Sequence, residues 1–255
     1  MGSPSEVRAR PATSSWRVAT VVRVRSLNAR ARSILLDVPG WPGHDAGQHV
    51  DVRLTAPDGY TAVRSYSIAS ATGGQQVELA VEELPNGEVS PYLTRELIVG
   101  DRIEVRGPVG GWFVWRPEQR EPIQLLAGGS GVVPLVAIAR SRSAALSAAP
   151  MQLLYSVRDP DSLLFGPELA DLSAGDSLRV TYAYTRYAPA GYGRPPGRVD
   201  AKLIAAETLP VDSAPTCYVC GPTGFVETVA TLLTDVGHDP ARIRTERFGP
   251  TGGQR

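Results

Sequence analysis

A charged, proline-bearing segment at residues 115–122 separates two different patterns of hydrophobicity in this chain of 255 residues. Before the segment, short runs of β-forming residues are divided by turn signals such as Pro39-Gly40 and Gly73-Gly74. After it, apolar runs alternate with stretches of helical periodicity. The change predicts two domains of different fold, 16–118 and 119–255, preceded by a polar, flexible arm at residues 1–15.

The first domain is predicted to be a six-stranded antiparallel β-barrel, because six short strands follow one another at close spacing. One helix is expected to interrupt them, from an N-cap at Ser90 through Pro91 to residue 97. The predicted strands are 16–25, 33–38, 49–54, 64–69, 77–81 and 102–106.

The second domain is predicted to be an α/β doubly wound parallel sheet, since strands and helices alternate along it. Strands are expected at 123–127, 151–157, 177–184, 216–220 and 242–248, and helices at 132–145, 167–172, 200–206 and 223–236. In such a sheet, ligands bind at the carboxyl ends of the strands, where free backbone N–H groups can meet phosphates.

Composition excludes several classes of function. The chain has 26 Lys+Arg and 26 Asp+Glu, so its formal net charge is zero and it lacks the basic field that nucleic-acid binding needs. Two cysteines cannot supply the four thiolates of an iron–sulfur cluster, and the three histidines show no metal-ligand spacing, so no metal is expected. No apolar run reaches the ~20 residues of a membrane span and the start lacks a signal-peptide core, so we expect a soluble, cytoplasmic protein.

Two glycine turns follow predicted strands of the second domain. Gly128-Gly-Ser-Gly131 departs from the usual dinucleotide fingerprint, because Pro134 stands where its third glycine would be. Cys220-Gly-Pro222 repeats the arrangement, with Thr223 as the expected N-cap of the next helix. Each turn alone is equally a tight strand-to-helix connection, whereas two at one edge indicate a cleft. The Cys217-x-x-Cys220 pair is either a redox dithiol or, as we favour, part of a buried apolar strand.

The first domain contains a strand that joins a cation to an aromatic ring. Alternation puts Arg64 and Tyr66 on one side of this strand and Ser65 and Ser67 on the other. Arginine suits a pyrophosphate, and a tyrosine ring stacks on a planar heterocycle. The alternative is a cross-strand Arg and Tyr on a solvated barrel face. A second glycine turn, Gly87-Glu-Val-Ser90, opens the predicted helix, whose amides could bind the same pyrophosphate.

Taken in order, six motifs make the chain resemble the FAD-bound reductase modules of the ferredoxin-NADP reductase superfamily over residues 16–249. The motifs are Arg64-Ser-Tyr-Ser67, Gly87-Glu-Val-Ser90, Gly107-Pro-Val-Gly110, Gly128-Gly-Ser-Gly-Val-Val-Pro134, Cys220-Gly-Pro222 and Glu246-Arg-Phe248. The resemblance implies that the first domain binds FAD and that the second binds NAD(P)H. FMN is the alternative flavin, because FMN-binding relatives share the Arg-x-Tyr-Ser pattern.

The resemblance also assigns flavin-binding roles in the first domain. Arg64 would bind the FAD pyrophosphate, Tyr66 would stack on the isoalloxazine ring, and Ser67 would hydrogen-bond near flavin N5, the atom that accepts hydride. The rest of the implied flavin-binding set is Ser65, Gly87, Val89 and Ser90.

For the second domain, the resemblance implies that Gly129, Ser130 and Gly131 lie under the pyrophosphate of the nicotinamide dinucleotide. Phe248 would lie close to the flavin ring, or would pack in the domain interface. The segment beside the nicotinamide would be Cys220, Gly221 and Pro222, and the implied catalytic residues are Ser67, Cys220 and Phe248.

Selection between NADPH and NADH depends on the charge beside the adenosine ribose, where arginine favours a 2′-phosphate and an acidic residue favours a free hydroxyl. Arg158 follows one predicted strand, and Thr185-Arg186 follows the next. Asp159, directly after Arg158, is the acidic competitor. We expect NADPH as the donor, with NADH as the alternative.

The function implied is that of an FAD-dependent NAD(P)H oxidoreductase of the ferredoxin-NADP reductase type, acting as a monomer. Hydride would pass from NADPH to flavin N5, and single electrons would then go to a separate protein, a ferredoxin that serves an oxygenase or a cytochrome. The first 32 residues carry seven arginines and one glutamate, so Arg23 and Arg25 are a hypothetical basic landing site for that partner. The alternatives are a reductase of free flavin, quinone or ferric complexes, and a flavin-binding relay subunit of a larger complex.

Overall fold

The computed structural model describes residues 15–72, 76–84, 86–175 and 178–249. These residues form a six-stranded antiparallel sheet in the first part of the chain and a five-stranded parallel sheet in the second. Apart from its last residue, the predicted arm at 1–15 lies outside the described residues. The predicted fold class is confirmed, and the boundary at residues 118 and 119 stays a prediction.

The first sheet runs in the order β4-β3-β6-β1-β2-β5, and an isolated bridge between Ile68 and Leu79 brings its two edges together as a barrel. Strand β4 begins at Thr61 rather than at residue 64, because the turn before it is closed by a hydrogen bond from Ala56 N to Tyr60 O at 2.8 Å. The strands are β1 Arg17–Asn28, β2 Ala31–Asp37, β3 His49–Thr55, β4 Thr61–Ser67, β5 Gln76–Glu82 and β6 Arg102–Val109.

One face of these strands forms the barrel core. Ile34, Leu36, Val50, Val52 and Leu79 are completely buried in it. Burying each such side chain stabilises the fold by roughly 1.5–3 kcal/mol. The opposite faces of β3 and β4 are therefore free to carry polar side chains toward the second domain.

The predicted helix at residues 90–97 is present as one wide turn, Tyr92–Glu96, closed by a hydrogen bond from Leu97 N to Tyr92 O at 3.0 Å. The prediction of Ser90 as its N-cap is wrong. The Ser90 hydroxyl accepts a hydrogen bond from Leu84 N at 3.1 Å, so it closes the preceding loop instead of capping the turn.

The second sheet runs in the order β11-β10-β7-β8-β9 with every neighbour parallel, so all its strands end at one edge. Within the described ranges, no helix is both long enough and apolar enough to cross a membrane. The elements are β7 Ile123–Gly128, α1 Val132–Ala144, β8 Met151–Val157, α2 Gly166–Ala174, β9 Arg179–Tyr184, α3 Ala201–Glu207, β10 Thr216–Pro222, α4 Thr223–Asp235 and β11 Ile243–Phe248.

One prediction for this domain is wrong, and another falls on a residue outside those that the structure describes. The predicted N-cap role of Thr223 is wrong, because Thr223 is the first residue of α4 itself and Pro222 precedes it without a side-chain cap. The expected start of the third strand, Ser177, lies outside the described residues, and β9 begins at Arg179.

The two domains share a buried ion cluster centred on Arg140 of α1. Its guanidinium lies 2.6 Å from a carboxylate oxygen of Glu78 on β5 and 2.6 Å from one of Glu168 on α2, and it donates to Ala69 O at 2.8 Å. Burial would lower the pKa of Arg140, but hydrogen bonds and attraction from the two carboxylates raise it, so the group stays charged. The cluster therefore ties a barrel strand to two helices of the second domain.

Removing the Arg140 side chain should destabilise the protein by about 3 kcal/mol, because Glu78 would remain buried with only the exposed Arg25, 4.0 Å away, as a counter-ion. Urea unfolding of Arg140→Ala measures this loss. The double variant Arg140→Ala/Glu78→Ala should be more stable than Arg140→Ala, because it also removes the buried carboxylate. The control is Arg247→Ala, whose partner Glu227 is exposed and whose loss should cost under about 1 kcal/mol. Equal losses of unfolding free energy in Arg140→Ala and Arg247→Ala would contradict the stabilising role given to the Arg140 cluster.

Candidate active site

A cavity of about 360 Å³ lies between the barrel and the last strand of the parallel sheet. This volume is within the range of small-molecule clefts. Two of the three predicted catalytic residues, Ser67 and Phe248, line the cavity together, although they are far apart in sequence. The other lining residues are Gly47, His49, Ser65, Gly110, Gly111, Trp112, Phe113, Thr245, Glu246 and Arg247.

Strand β4 presents different residues on its two faces. Ser65 and Ser67 line the cavity. Arg64 and Tyr66 alternate with them along β4, opposite Val52 and Val50 of β3, and do not line it. Tyr66 is half-buried against the barrel core, and burial raises the pKa of its hydroxyl. The structure thus brings Ser67 to Phe248, while Tyr66 is not among the residues that line the cavity.

Arg64 lies beside the loop that was expected to share its phosphate ligand. Its guanidinium forms an ion pair with Glu88, which also accepts a hydrogen bond from the Tyr60 hydroxyl at 2.9 Å. The Arg64 and Glu88 side chains are both about half exposed. An ion pair this exposed contributes little free energy, so a phosphate can displace the carboxylate at low cost.

The loop from Gly87 to Ser90 requires a glycine at its first position. A Cβ atom on Gly87 would lie 2.7 Å from the Ser90 hydroxyl and 3.1 Å from Leu84 O. Val89 is buried in the barrel core, so only its main chain is available to a ligand.

The two glycine turns of the second domain touch each other, as the sequence predicts for a cleft. A Cβ on Gly131 would lie 2.1 Å from Cys220 O, and a Cβ on Gly128 would lie 2.7 Å from the Phe225 ring. Gly129 has a φ of +55°, with open space where its side chain would be. Ser130, between these glycines, is half-buried. The glycines on both sides of Ser130 thus form a cradle with little side-chain cover at the carboxyl ends of β7 and β10.

Cys220 lies beneath this cradle and is buried, with 1% of its surface exposed. Burial raises the pKa of its thiol well above the ordinary value, and burial raises the pKa of Cys217 to about 12. Both thiols are therefore protonated at neutral pH, as expected of small hydrophobic residues in a strand. Next to Cys220, Gly221 approaches the Phe225 ring and Pro222 is exposed.

The residues expected to select the nucleotide lie at the ends of two neighbouring strands. Arg186 N donates to Arg158 O at 2.9 Å, and Thr185 N donates to Val157 O at 2.9 Å. The side chains of Arg158 and Arg186 are exposed, and Arg158 lies 3.3 Å from Glu82 of the barrel. The Asp159 carboxylate accepts hydrogen bonds from the main-chain N–H and from the hydroxyl of Ser162. This carboxylate is therefore already hydrogen-bonded within its own turn.

Two residues of the cavity, His49 and Glu246, were not among the predicted site residues. His49 pairs with Ser67 across β3 and β4, and its Nδ1 lies 3.8 Å from Oε1 of Glu246 on β11. Burial raises the pKa of Glu246 to about 7. Burial also lowers the pKa of His49, and the negative charge of Asp51 opposes part of that lowering. The motif Glu246-Arg-Phe248 contained a signal for Glu246, whereas His49 has the pattern of an ordinary barrel residue.

Asp51 orders the polar face next to these groups. It accepts hydrogen bonds from the Ser65 hydroxyl at 2.7 Å and from Arg106 at 2.7 Å. Burial alone would raise the pKa of Asp51, but these hydrogen bonds hold it below the usual value. Ser65 is thereby oriented toward Asp51 and the cavity wall is fixed.

Comparison with protein families gives two matches that divide the chain in the same order as the two sheets. An oxidoreductase FAD-binding domain matches residues 21–114, and an oxidoreductase NAD-binding domain matches residues 125–231. The chain therefore contains an FAD-binding domain followed by an NAD-binding domain.

Among curated proteins, the chain is 31% identical to NADH-cytochrome b5 reductase 1 of Emericella nidulans, over 81% of this chain and 67% of that protein. It is 30% identical to a ferredoxin–NAD(P)(+) reductase component of naphthalene 1,2-dioxygenase/salicylate 5-hydroxylase systems from a Ralstonia species, over 81% of this chain and 61% of that protein. Several such relatives are longer, and the chain spans between a half and two thirds of their length.

Solved structures agree in fold. The flavohem-like FAD/NAD-binding domain of nitric oxide dioxygenase from Vibrio cholerae superposes with a TM-score of 0.82 at 26% identity, covering 92% of this chain and 99% of that one. An Amycolatopsis cytochrome P450 reductase superposes with a TM-score of 0.80 at 27% identity, covering 96% and 74% respectively.

The raised pKa of Glu246 predicts a measurable dependence of stability on pH. Between the ordinary value of 4.5 and about 7, the native protein keeps a proton that the unfolded chain has released. The free energy of unfolding should therefore fall as pH rises through this range, by at most about 1.4 kcal/mol per pH unit, and the fall should level off above pH 7. Glu246→Gln should lack this pH-dependent part of the free energy of unfolding. Urea unfolding of both proteins between pH 5 and pH 8 would measure the difference.

The matched control for this measurement is Glu227→Gln, because Glu227 is an exposed glutamate paired with Arg247. A difference between wild type and Glu246→Gln that stays constant from pH 5 to pH 8 would show that the Glu246 carboxyl titrates normally.

Proposed function

The chain belongs to the ferredoxin-NADP reductase superfamily, and from that premise we propose that it takes electrons from NADPH and delivers them singly to a separate protein, a ferredoxin. The observation that carries the proposal is the cavity in which Ser67 of the first domain meets Phe248 and Glu246 of the second. Such a cavity brings a flavin held by one domain to a nicotinamide held by the other. FAD bound there would supply the chemistry of accepting hydride and releasing electrons one at a time.

The residues of the first domain fit the flavin dinucleotide. Arg64 is exposed and weakly paired with Glu88, so its guanidinium is available for a pyrophosphate. In the loop beside it, Gly87 N is hydrogen-bonded to Leu84 O at 3.0 Å, so the main-chain N–H groups after Gly87 would meet the phosphates, and Ser67 offers a hydroxyl on the cavity wall. In this proposal, Arg64 and the loop anchor the phosphates while Ser67 orients the ring system.

Residues of the second domain fit a nicotinamide dinucleotide. The cradle of Gly129, Ser130 and Gly131 leaves main-chain N–H groups with little side-chain cover, which suits the close approach of a pyrophosphate. Cys220 and Phe248 lie on the neighbouring strands β10 and β11, where Cys220 pairs with Glu246 and the last residues of the two strands, Pro222 and Phe248, pair with each other.

Glu246 and His49 are suited to handling a proton at the cavity wall. With its pKa near 7, the Glu246 carboxyl exchanges a proton readily at neutral pH, and His49 Nδ1 lies 3.8 Å away. His49, neutral because burial lowers its pKa, can accept or return that proton. The Ser67 hydroxyl, on the residue paired with His49, connects them to the ligand-facing wall.

NADPH is the proposed donor because two exposed arginines lie at the ribose edge, where Arg158 is paired with Glu82 at 3.3 Å and Arg186 has no carboxylate partner among the described residues. Arg158 and Arg186 follow adjacent strands, and the Asp159 carboxylate is held by Ser162. Two guanidinium groups would give charge-assisted hydrogen bonds to a 2′-phosphate.

A one-electron protein acceptor is proposed for two reasons. The two cysteines among these 255 residues cannot form a cluster, so an iron–sulfur centre that takes the electrons would lie outside them. The Ralstonia relative is described as a ferredoxin reductase component. Arg23 and Arg25 are exposed on β1 and remain a hypothetical contact for that partner.

To test this function, NADPH oxidation by the FAD-loaded protein would be followed with three acceptors: a [2Fe–2S] ferredoxin, free FMN and ferric citrate. We expect ferredoxin to be reduced with the highest kcat/KM, and its rate to fall with ionic strength. Turnover that is fastest with free flavin or ferric citrate would identify a small-molecule reductase. Bound flavin without turnover with any acceptor would indicate a relay subunit.

Arg186→Ala should raise KM for NADPH by about tenfold, the effect of losing one charge-assisted hydrogen bond of about 1.5 kcal/mol. KM for NADH should change less than twofold, because NADH lacks the 2′-phosphate. Steady-state kinetics with both nucleotides check this, with Arg179→Ala, an exposed arginine at the opposite end of β9, as the control. Equal changes for the two nucleotides would contradict a 2′-phosphate contact.

Arg64→Ala should weaken FAD retention by at least about tenfold, since a charge-assisted phosphate contact is worth roughly 1.5–3 kcal/mol. Fluorescence titration of the FAD-free protein with FAD measures the affinity. Arg53→Ala is the matched control, because Arg53 is on the neighbouring strand and pairs with Glu104. Unchanged FAD affinity in Arg64→Ala would place the pyrophosphate elsewhere.

A further inference from the structure

A second, larger cavity of about 530 Å³ shares no residue with the predicted flavin-binding and nucleotide-binding sets. It lies between the β1–β2 hairpin, the end of β5 and the Tyr92–Glu96 turn, which contribute Arg30 and Arg32, Glu83, and Arg95 to its wall. Ser26, Asn28 and Thr94 are the other polar residues of its lining.

The charges of this cavity do not balance. Glu83 is its one carboxylate, and both oxygens of that group accept hydrogen bonds from Arg95, at 2.7 and 2.5 Å. Arg30 donates to the main-chain carbonyl of Glu83 at 3.0 Å and shares the charge of the Glu83 carboxylate with Arg95. Arg32 is half-buried, and within the described ranges it has no hydrogen bond or ion pair. Three guanidinium groups and one carboxylate leave a net charge of +2.

Arg32 is half-buried without a partner among the described residues, which is costly unless an anion compensates its charge, whereas Arg30 and Arg95 are exposed at the rim of the cavity. Arg30 and Arg32 lie on either side of Ala31 at the start of β2, and Arg95 approaches from the turn. Three guanidinium groups facing one concave, polar space match the several oxygens of a phosphate group, to which arginine can donate two hydrogen bonds at a time. The volume exceeds that of a single inorganic ion and admits a small organic phosphate.

We propose that this cavity binds a small phosphate-bearing metabolite that carries at least two negative charges. The cavity lies next to a contact between the two domains, because its lining residue Asn28 donates a hydrogen bond to Leu163 O of the second domain at 3.4 Å. Thr94, beside Arg95, donates to Ser90 O at 2.8 Å. A bound anion would therefore hold the β1–β2 hairpin against the turn that follows the Gly87–Ser90 loop.

The test uses the full-length protein loaded with FAD and saturated with NADP⁺, so that other phosphate sites are filled. Isothermal titration with pyrophosphate at low ionic strength should show one site. Arg32→Ala and Arg30→Ala should each weaken its affinity at least tenfold, and Arg32→Lys should restore part of it. Arg23→Ala, an exposed arginine on β1 outside the cavity, should leave the affinity unchanged.

Arg95→Ala gives a second, independent variant, because it releases the Glu83 carboxylate toward the cavity and should also reduce binding at least tenfold. Inorganic phosphate and ribose 5-phosphate distinguish the source of the phosphate group. Tighter binding of ribose 5-phosphate supports an organic phosphate, whereas equal or tighter binding of inorganic phosphate overturns that part of the proposal.

Absence of pyrophosphate binding, or binding that Arg32→Ala does not weaken, would overturn the site itself. Repeating the titration on the flavin-free Arg64→Ala protein separates this proposal from the proposed function. Binding that persists there and still depends on Arg32 supports the site even if the protein proves not to be an NADPH reductase.

Discussion

The orientation of the two domains depends on one buried cation. Arg140 of α1 is shared by Glu78 of the barrel and Glu168 of α2, and Glu78 is additionally hydrogen-bonded by Ser33. Around this ion cluster, apolar side chains from both domains pack as one core, in which the Phe113 and Tyr218 rings meet edge to face at 5.4 Å. Ser67 and Phe248 can line one cavity only because this interface holds β4 and β11 at a fixed separation. The proposed chemistry therefore depends on an interaction that touches neither ligand site.

In the proposed function, binding and reaction occupy different parts of the cleft. The glycine turns would hold the phosphates, and Arg64 is paired weakly enough with Glu88 to exchange its partner. At the cavity wall, by contrast, burial brings the pKa of Glu246 close to neutral pH beside His49, whose pKa burial lowers. Ligands would thus be anchored by charge and main-chain N–H groups at the rim, while protons would be handled where water is partly excluded.

The fold was largely predictable from local patterns, because strand alternation and helix periodicity are local properties of the chain. Strand β8 begins and ends where the sequence places it, and the two glycine turns meet as expected. The errors at Ser90 and Thr223 concern helix caps, which depend on what the surrounding loop does with its hydrogen bonds. The Arg140 cluster and the proximity of His49 to Glu246 were not predictable, since both join residues that only the packing of the two domains brings together.

Anaerobic stopped-flow absorbance of the FAD-loaded protein mixed with NADPH tests most directly whether hydride crosses the cavity between the two domains. If it does, NADPH should bleach the flavin band rapidly and completely, and faster than NADH. A protein that retains FAD, yet whose flavin band neither nucleotide bleaches, would contradict the claim that this cavity joins a nicotinamide to a flavin.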